Sequence, residues 1–153
     1  MAMPKVGEKA PDFALASDAG RSVELSALRG GAVVLYFYPR DDTSGCTAEA
    51  CSIRDDYDAY KQAGVTILGV SPDSVASHVK FKEKYQLPFS LLADEDHSVT
   101  EAYGAWGKRK EHMGVLRTTF LIAPDGKIAH VFENVKPQGH STEILAALKE
   151  VRP

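Results

Sequence analysis

The run Ala32-Val-Val-Leu-Tyr-Phe-Tyr38 is apolar on both of its faces. A strand at the surface of a sheet alternates polar and apolar side chains. A strand without that alternation belongs in the interior, with layers packed on both sides. Val65-Thr-Ile-Leu-Gly-Val70 and Thr118-Thr-Phe-Leu-Ile122 have the same character. The segments between read as helices: residues 44–62, closed by Gly64; Ser74 to about Tyr85, entered through Ser71-Pro72-Asp73; Ser98 to Tyr103; and Ser141 to Lys149. Asp125-Gly126 marks a turn into Lys127–Phe132, an antiparallel hairpin, and Asp12–Leu15 and Ser22–Leu25 flank a second turn at Asp18-Ala-Gly20. Strands that alternate with helices and end in a hairpin predict an α/β fold: a central mixed β-sheet, mostly parallel with antiparallel additions, flanked by helices.

The length of 153 residues, 44% of them hydrophobic, fits a single domain over 1–153 with a core of its own. A net charge of −3 supplies no basic face for nucleic acid or an anionic membrane. The start, MAMPKVGEKAPDF, has no apolar segment of the kind a secretory leader carries, and no apolar run approaches the ~20 residues of a membrane span. A soluble, cytoplasmic protein is expected. Thiols are kept reduced there, so a cysteine pair is more often catalytic or metal-binding than a structural staple.

The chain has only two cysteines, and both lie in PRDDTSGCTAEAC. This stretch follows the strand Ala32–Tyr38 and enters a helix, the usual place for a site in an open α/β sheet. Cys46, Ala50, Ile53, Tyr57 and Tyr60 fall on one helical stripe, with Arg54, Asp55, Asp58 and Lys61 opposite. Cys46 is thus predicted in the first turn, facing the sheet. Cys51 is ~140° around the helix and ~7.5 Å along it, beyond the roughly 4.4–6.8 Å Cα separation of a disulfide. The two cannot pair while the helix is intact.

A reactive cysteine works as the thiolate, against an ordinary pKa of ~8.5. Asp41 and Asp42 oppose that charge, and the helix N-terminus favours it. Thr43 or Ser44 can cap the helix, and the Thr43 hydroxyl could donate to sulfur. Arg40 is expected to turn outward and pair with the aspartates. Arg117, entering a buried strand beside two threonines, is the better source of a cation at the sulfur. The bland alternative is a cysteine that is merely a small buried hydrophobe. C-x4-C with no histidine pair nearby lacks structural zinc spacing, and it is not the C-x-x-C of a thioredoxin motif. His78, His97, His112, His130 and His140 are scattered and read mostly as surface residues, while Trp106, Tyr36 and Tyr38 read as core and pocket walls.

Pro39-x-x-x-Thr43-x-x-Cys46 resembles the active-site signature of the peroxiredoxins. The likeness extends through YFYPRDDTSGCTAEACSIRD, LGVSPDSVASHVKF, KYQLPFSLLADEDH, MGVLRTTFLIAPDGKI and VKPQGH, from about Val6 to Leu148, and is nearest the bacterioferritin comigratory protein (peroxiredoxin Q) branch. The resemblance implies a thioredoxin-like fold and thiol-dependent reduction of hydroperoxides without metal, flavin or nucleotide. By it, Cys46 is the peroxidatic cysteine, Thr43 orients the peroxide, and Pro39 shields the sulfur from water. Arg117 stabilises the thiolate and the transition state, Glu49 braces the arginine, and Cys51 is the resolving cysteine. The implied partners are a hydroperoxide substrate and thioredoxin or a similar dithiol protein as reductant, acting on a monomer. Ser44 stands where many members of the branch have proline, Gly107–His112 is shorter than its counterpart in many, and the helix Ser74–Tyr85 carries no cysteine, where some keep theirs. Two other readings stay open: a disulfide oxidoreductase acting on protein thiols, which the five-residue spacing disfavours, and a redox sensor or chaperone-like binding protein.

Overall fold

The computed structural model describes residues 3–109 and 112–150. Its strands are β1 (Ala14–Ser17), β2 (Ser22–Glu24), β3 (Val33–Phe37), β4 (Thr66–Ser71), β5 (Ser90–Ala93), β6 (Trp106–Arg109), β7 (His112–Val115), β8 (Thr118–Ile122) and β9 (Ile128–Phe132). Its helices are α1 (Ser44–Asp55), α2 (Tyr57–Gln62), α3 (Val75–Tyr85), α4 (Ser98–Ala102) and α5 (His140–Leu148). Seven strands form one sheet in the order β2-β1-β5-β4-β3-β8-β9, and β6 and β7 make a separate ribbon.

The apolar run that constrained the fold is β3, at the sheet's interior and buried along its whole length. Its side chains divide by the two-residue period of a strand. Val34, Tyr36 and Tyr38 join a core with Cys46, Ala50 and Ile53 of α1, Phe81 of α3, and Ile144 and Leu148 of α5. Val33, Leu35 and Phe37 join the opposite core with Tyr103, Ala105, Val115 and Phe120. The sheet is therefore covered on both faces, and α1 is pinned by its apolar stripe directly over the end of β3.

Several expectations need correction. Only β3–β4 and β4–β5 are parallel; β1–β2, β1–β5, β3–β8 and β8–β9 are antiparallel, so the sheet is mixed rather than mostly parallel. Residues 44–62 form two helices, broken at Asp56, whose φ of −100° and ψ of 10° leave the helical range. The break has a tertiary cause: the Ser141 hydroxyl, at the start of α5, donates to the Asp56 carboxylate at 2.7 Å. The stripe nevertheless continues, with Tyr60 buried and its hydroxyl on the Ser141 carbonyl at 3.1 Å. The short strand β5 and the β6–β7 ribbon lie where no element was expected. Of the segment Gly107–His112, residues 110 and 111 lie outside the described residues. Two histidines are not at the surface: His78 is 0% exposed and His140 is 1% exposed. Gly64 does end the helical segment, in the left-handed conformation at φ +72°.

Candidate active site

Cys46 sits in the first turn of α1 and is buried. Thr43 is the N-cap, with extended backbone, and the first amide to bond back along the helix is that of Thr47, to the Thr43 carbonyl at 2.8 Å. The N–H groups of Ser44, Gly45 and Cys46 thus have no helical acceptor, leaving the positive end of the helix dipole beside the sulfur.

Arg117 supplies the cation. It lies in the two-residue link between β7 and β8, and its carbonyl accepts from the Val135 amide at 3.1 Å, which fixes its main chain. One guanidinium nitrogen, Nη2, donates to Cys46 Sγ at 3.2 Å, and the other, Nη1, donates to Glu49 Oε1 at 3.1 Å. Glu49 is on α1, buried, one turn beyond Cys46, so a single arginine ties both side chains of the helix to the sheet. A charged guanidinium in the fork geometry stabilises negative charge on the atom it faces. Burial pushes the Glu49 carboxyl up to about 7, although Arg117 opposes that shift. Glu49 Oε2 is buried without a partner.

The aspartates that ought to repel a thiolate are turned away and engaged elsewhere. Asp41 is buried; its Oδ1 accepts from the Tyr38 hydroxyl at 2.6 Å and its Oδ2 accepts from Ser77 at 2.8 Å and faces His78 Nδ1 at 2.7 Å. Asp42 accepts from Lys84 Nζ at 2.8 Å and the Tyr85 hydroxyl at 2.6 Å. Arg40 therefore does not pair with either of them, contrary to expectation, because residues of α3 already do. The Thr43 hydroxyl is also placed differently from expectation: it donates to the Arg40 carbonyl at 2.9 Å rather than to sulfur.

Above this floor opens a cleft of about 610 Å³. Pro39, Thr43, Gly45 and Arg117 line its base, and Pro72, Trp106, Met113 and Val115 give it apolar walls. Trp106 is backed by His97, stacked at 3.8 Å between ring centroids. Pro39, Thr43, Cys46, Glu49 and Arg117 are thus brought together. Cys51 is half-buried on α1, and both cysteines are free. Sequence reasoning missed Gly45 and His78. A Cβ on Gly45 would stand 2.6 Å from Arg117 Nη2, which no local signal reveals. For His78 a signal was present: His78, Phe81 and Tyr85 recur at helical spacing on the inner face of α3.

A buried thiol in the first turn of a helix, with an arginine on its sulfur and a cleft lined by the neighbouring Thr43, Gly45 and Arg117, on a thioredoxin-like sheet, defines a thiol-based redox protein. Residues 6–131 match the AhpC/TSA family, and the chain belongs to that family, in its peroxiredoxin Bcp/Q branch. It is 48% identical over 148 residues to the putative peroxiredoxin bcp of Coxiella burnetii, covering 94% of this chain and 98% of that one. It is 45% identical over 151 residues to the peroxiredoxin Bcp of Bacillus subtilis, covering 96% of each. Among solved structures it is similar to the Xanthomonas campestris bacterioferritin comigratory protein, studied for its alkyl peroxide reduction activity, with a TM-score of 0.90, 34% identity and 95% and 98% of the two chains covered.

Proposed function

We propose that the protein is a thiol peroxidase, a single domain that reduces hydrogen peroxide and alkyl hydroperoxides through Cys46. The observation that carries this reading is the Arg117 guanidinium, which donates at once to Cys46 Sγ and Glu49 beneath the cleft. The Cys46 thiolate attacks the terminal peroxide oxygen; an S–O bond forms as the O–O bond breaks, and the alcohol or water leaves with a proton. Arg117 and the free amides of the first turn stabilise charge as it spreads over the oxygens, and the Thr43 hydroxyl turns from the Arg40 carbonyl to orient the bound peroxide. Pro39 limits water at the sulfur, and the apolar cleft walls give room for the organic part of an alkyl hydroperoxide.

Cys46 is left as a sulfenic acid. Cys51 then condenses with it, expelling water and closing an intramolecular disulfide. Because α1 holds the two cysteines ~7.5 Å apart along its axis, its first turns unwind in this step. A thioredoxin-like dithiol protein reduces the bridge by exchange and is itself oxidised. With both thiols in one chain, a monomer suffices. Among the described residues no helix is long and apolar enough to cross a membrane, and the cytoplasm, where such reductants abound, is the proposed location.

The test is the mass and free-thiol count before and after one equivalent of hydrogen peroxide. Loss of both thiols and of two mass units, with no dimer, is the expected result. Cys46→Ser is expected to abolish peroxide turnover, and substantial residual turnover would exclude Cys46 as the nucleophile.

A further inference from the structure

The loop Pro39–Thr43 forms half of the cleft floor, and it is anchored on the side away from Arg117 by α3. Asp41, at its middle, is held at four points. Its carboxylate takes Tyr38, Ser77 and His78, and its amide donates to Asp73 Oδ2 at 2.7 Å. The next residue, Asp42, has φ +58°, a left-handed conformation that aspartate adopts more readily than most side-chain-bearing residues, and it is held there by Lys84 and Tyr85 of α3. His78 occupies a fully buried position on a helix face where an aliphatic side chain would pack without any hydrogen-bonding requirement. Its Nε2 faces the Leu92 carbonyl at 2.9 Å and must donate to it; its Nδ1 then shares a proton with Asp41 Oδ2. His78 touches neither the cleft nor the sulfur.

We propose that His78 is a positioning residue for the reaction at Cys46, acting through Asp41 to hold the Pro39–Thr43 loop against the first turn of α1. This rests on the peroxidase reading above. Thr43 is two residues from Asp41, and displacing a reacting constellation by an ångström costs a rate factor of order 10². The competing role is a purely structural tie of α3 to β5 through Leu92. The two bonds can be separated by substitution. His78→Asn places an amide near the Nδ1 position, keeping a donor for Asp41. His78→Gln places one near Nε2, keeping the bond to Leu92 instead.

The experiment measures the single-turnover rate at which hydrogen peroxide oxidises Cys46, by rapid quench and thiol count, with thermal midpoints in parallel. His78→Gln is expected to slow oxidation by about tenfold or more and His78→Asn by no more than about threefold, although each variant loses one bond and some stability. Equal slowing of the two, the reverse order, or no slowing in either would overturn the proposal. If neither variant folds, Ser77→Ala removes one bond to Asp41 and leaves the imidazole in place. A rate reduced about two- to fivefold would support the proposal and an unchanged rate would overturn it. Wild-type protein whose Cys46 ignores peroxide would defeat the peroxidase reading itself, a result distinct from reactive wild type with indifferent variants.

Discussion

The guanidinium of Arg117 reaches Cys46 because residue 45 has no side chain. A Cβ there would meet Nη2 at 2.6 Å and the Pro137 ring at 3.4 Å. Gly45 is not in a left-handed conformation, so alanine is tolerated by the backbone. The obstruction is the tip of a flexible side chain, which can swing aside at little cost in stability. Gly45→Ala is therefore expected to lower the peroxide rate about 10- to 100-fold, with a thermal midpoint close to wild type, as read from single-turnover kinetics and thermal unfolding. Equal rates would show that Arg117 need not sit on the sulfur. Glu49 makes a second residue-level case. Its ordinary value of 4.5 is raised to about 7 by burial, so the folded state binds the proton more tightly than the unfolded chain. The resulting stability is fully present below about pH 4.5 and is lost as the pH rises through about 7. The whole change is on the order of 3 kcal/mol. Unfolding free energies of wild type and Glu49→Gln should thus diverge across that window, with wild type losing ground as pH rises. A difference independent of pH would refute the assignment.

At the scale of elements, α1 is secured at its middle and loose at its start. Thr43 makes no side-chain cap, its hydroxyl being spent on Arg40, and there is no acidic residue in the first turn. Ser44 occupies the first helical position, its amide free of helical partners, and Thr43 before it has φ −92° and ψ 157°, which a following proline accepts. Ser44→Pro is thus expected to stabilise the reduced protein by about 0.4–1 kcal/mol and to slow closure of the Cys46–Cys51 bridge. Under excess peroxide it should accumulate more sulfinic acid at Cys46 than wild type, measured by mass, whereas an unchanged fraction would mean that unwinding does not limit closure. The elements that could be read beforehand are those whose own residues specify them: β3, β4 and β8 by apolarity on both faces, and α3 by the Ser71-Pro72-Asp73 that leads into it, after which Ser74 caps the helix, its hydroxyl accepting from the Ser77 amide at 3.1 Å. What could not be read was set from a distance. The break at Asp56 depends on Ser141, the four-residue strand β5 is ordered by β4 and β1, and the ribbon β6–β7 carries glycines and charges with no strand pattern. The same holds within the site: the positions of Cys46 and Arg117 were legible from the helix and strand they enter, but the engagement of Asp41 and Asp42 by α3 was not.

For the molecule as a whole, two terms oppose each other in the proposed closing of a Cys46–Cys51 bridge. That disulfide would restrain a loop of only six residues, Cys46 to Cys51, worth about 2 kcal/mol in the unfolded chain. The proposed unwinding would withdraw Cys46, Glu49 and Ala50 from their buried seats, part the Arg117 bonds, and remove about two turns of helix from the face that packs against Tyr36 and Tyr38. Emptying several buried seats on one helix face at once leaves cavities and exposes core, a loss on the order of 3–5 kcal/mol. The second term is the larger, so oxidation should leave the protein less stable than reduction does. Peroxide-oxidised protein, freed of reductant, is expected to melt several degrees below the reduced form, at about 2–4 °C per kcal/mol for a chain of this size, and to show a weaker helical signal in far-ultraviolet circular dichroism. Such a difference favours the reduced state and leaves the bridge in a loosened segment, where a dithiol protein can reach it. An oxidised form with the helical signal of the reduced one, and an equal or higher melting point, would mean that α1 stays wound and that Cys51 is not the partner of Cys46.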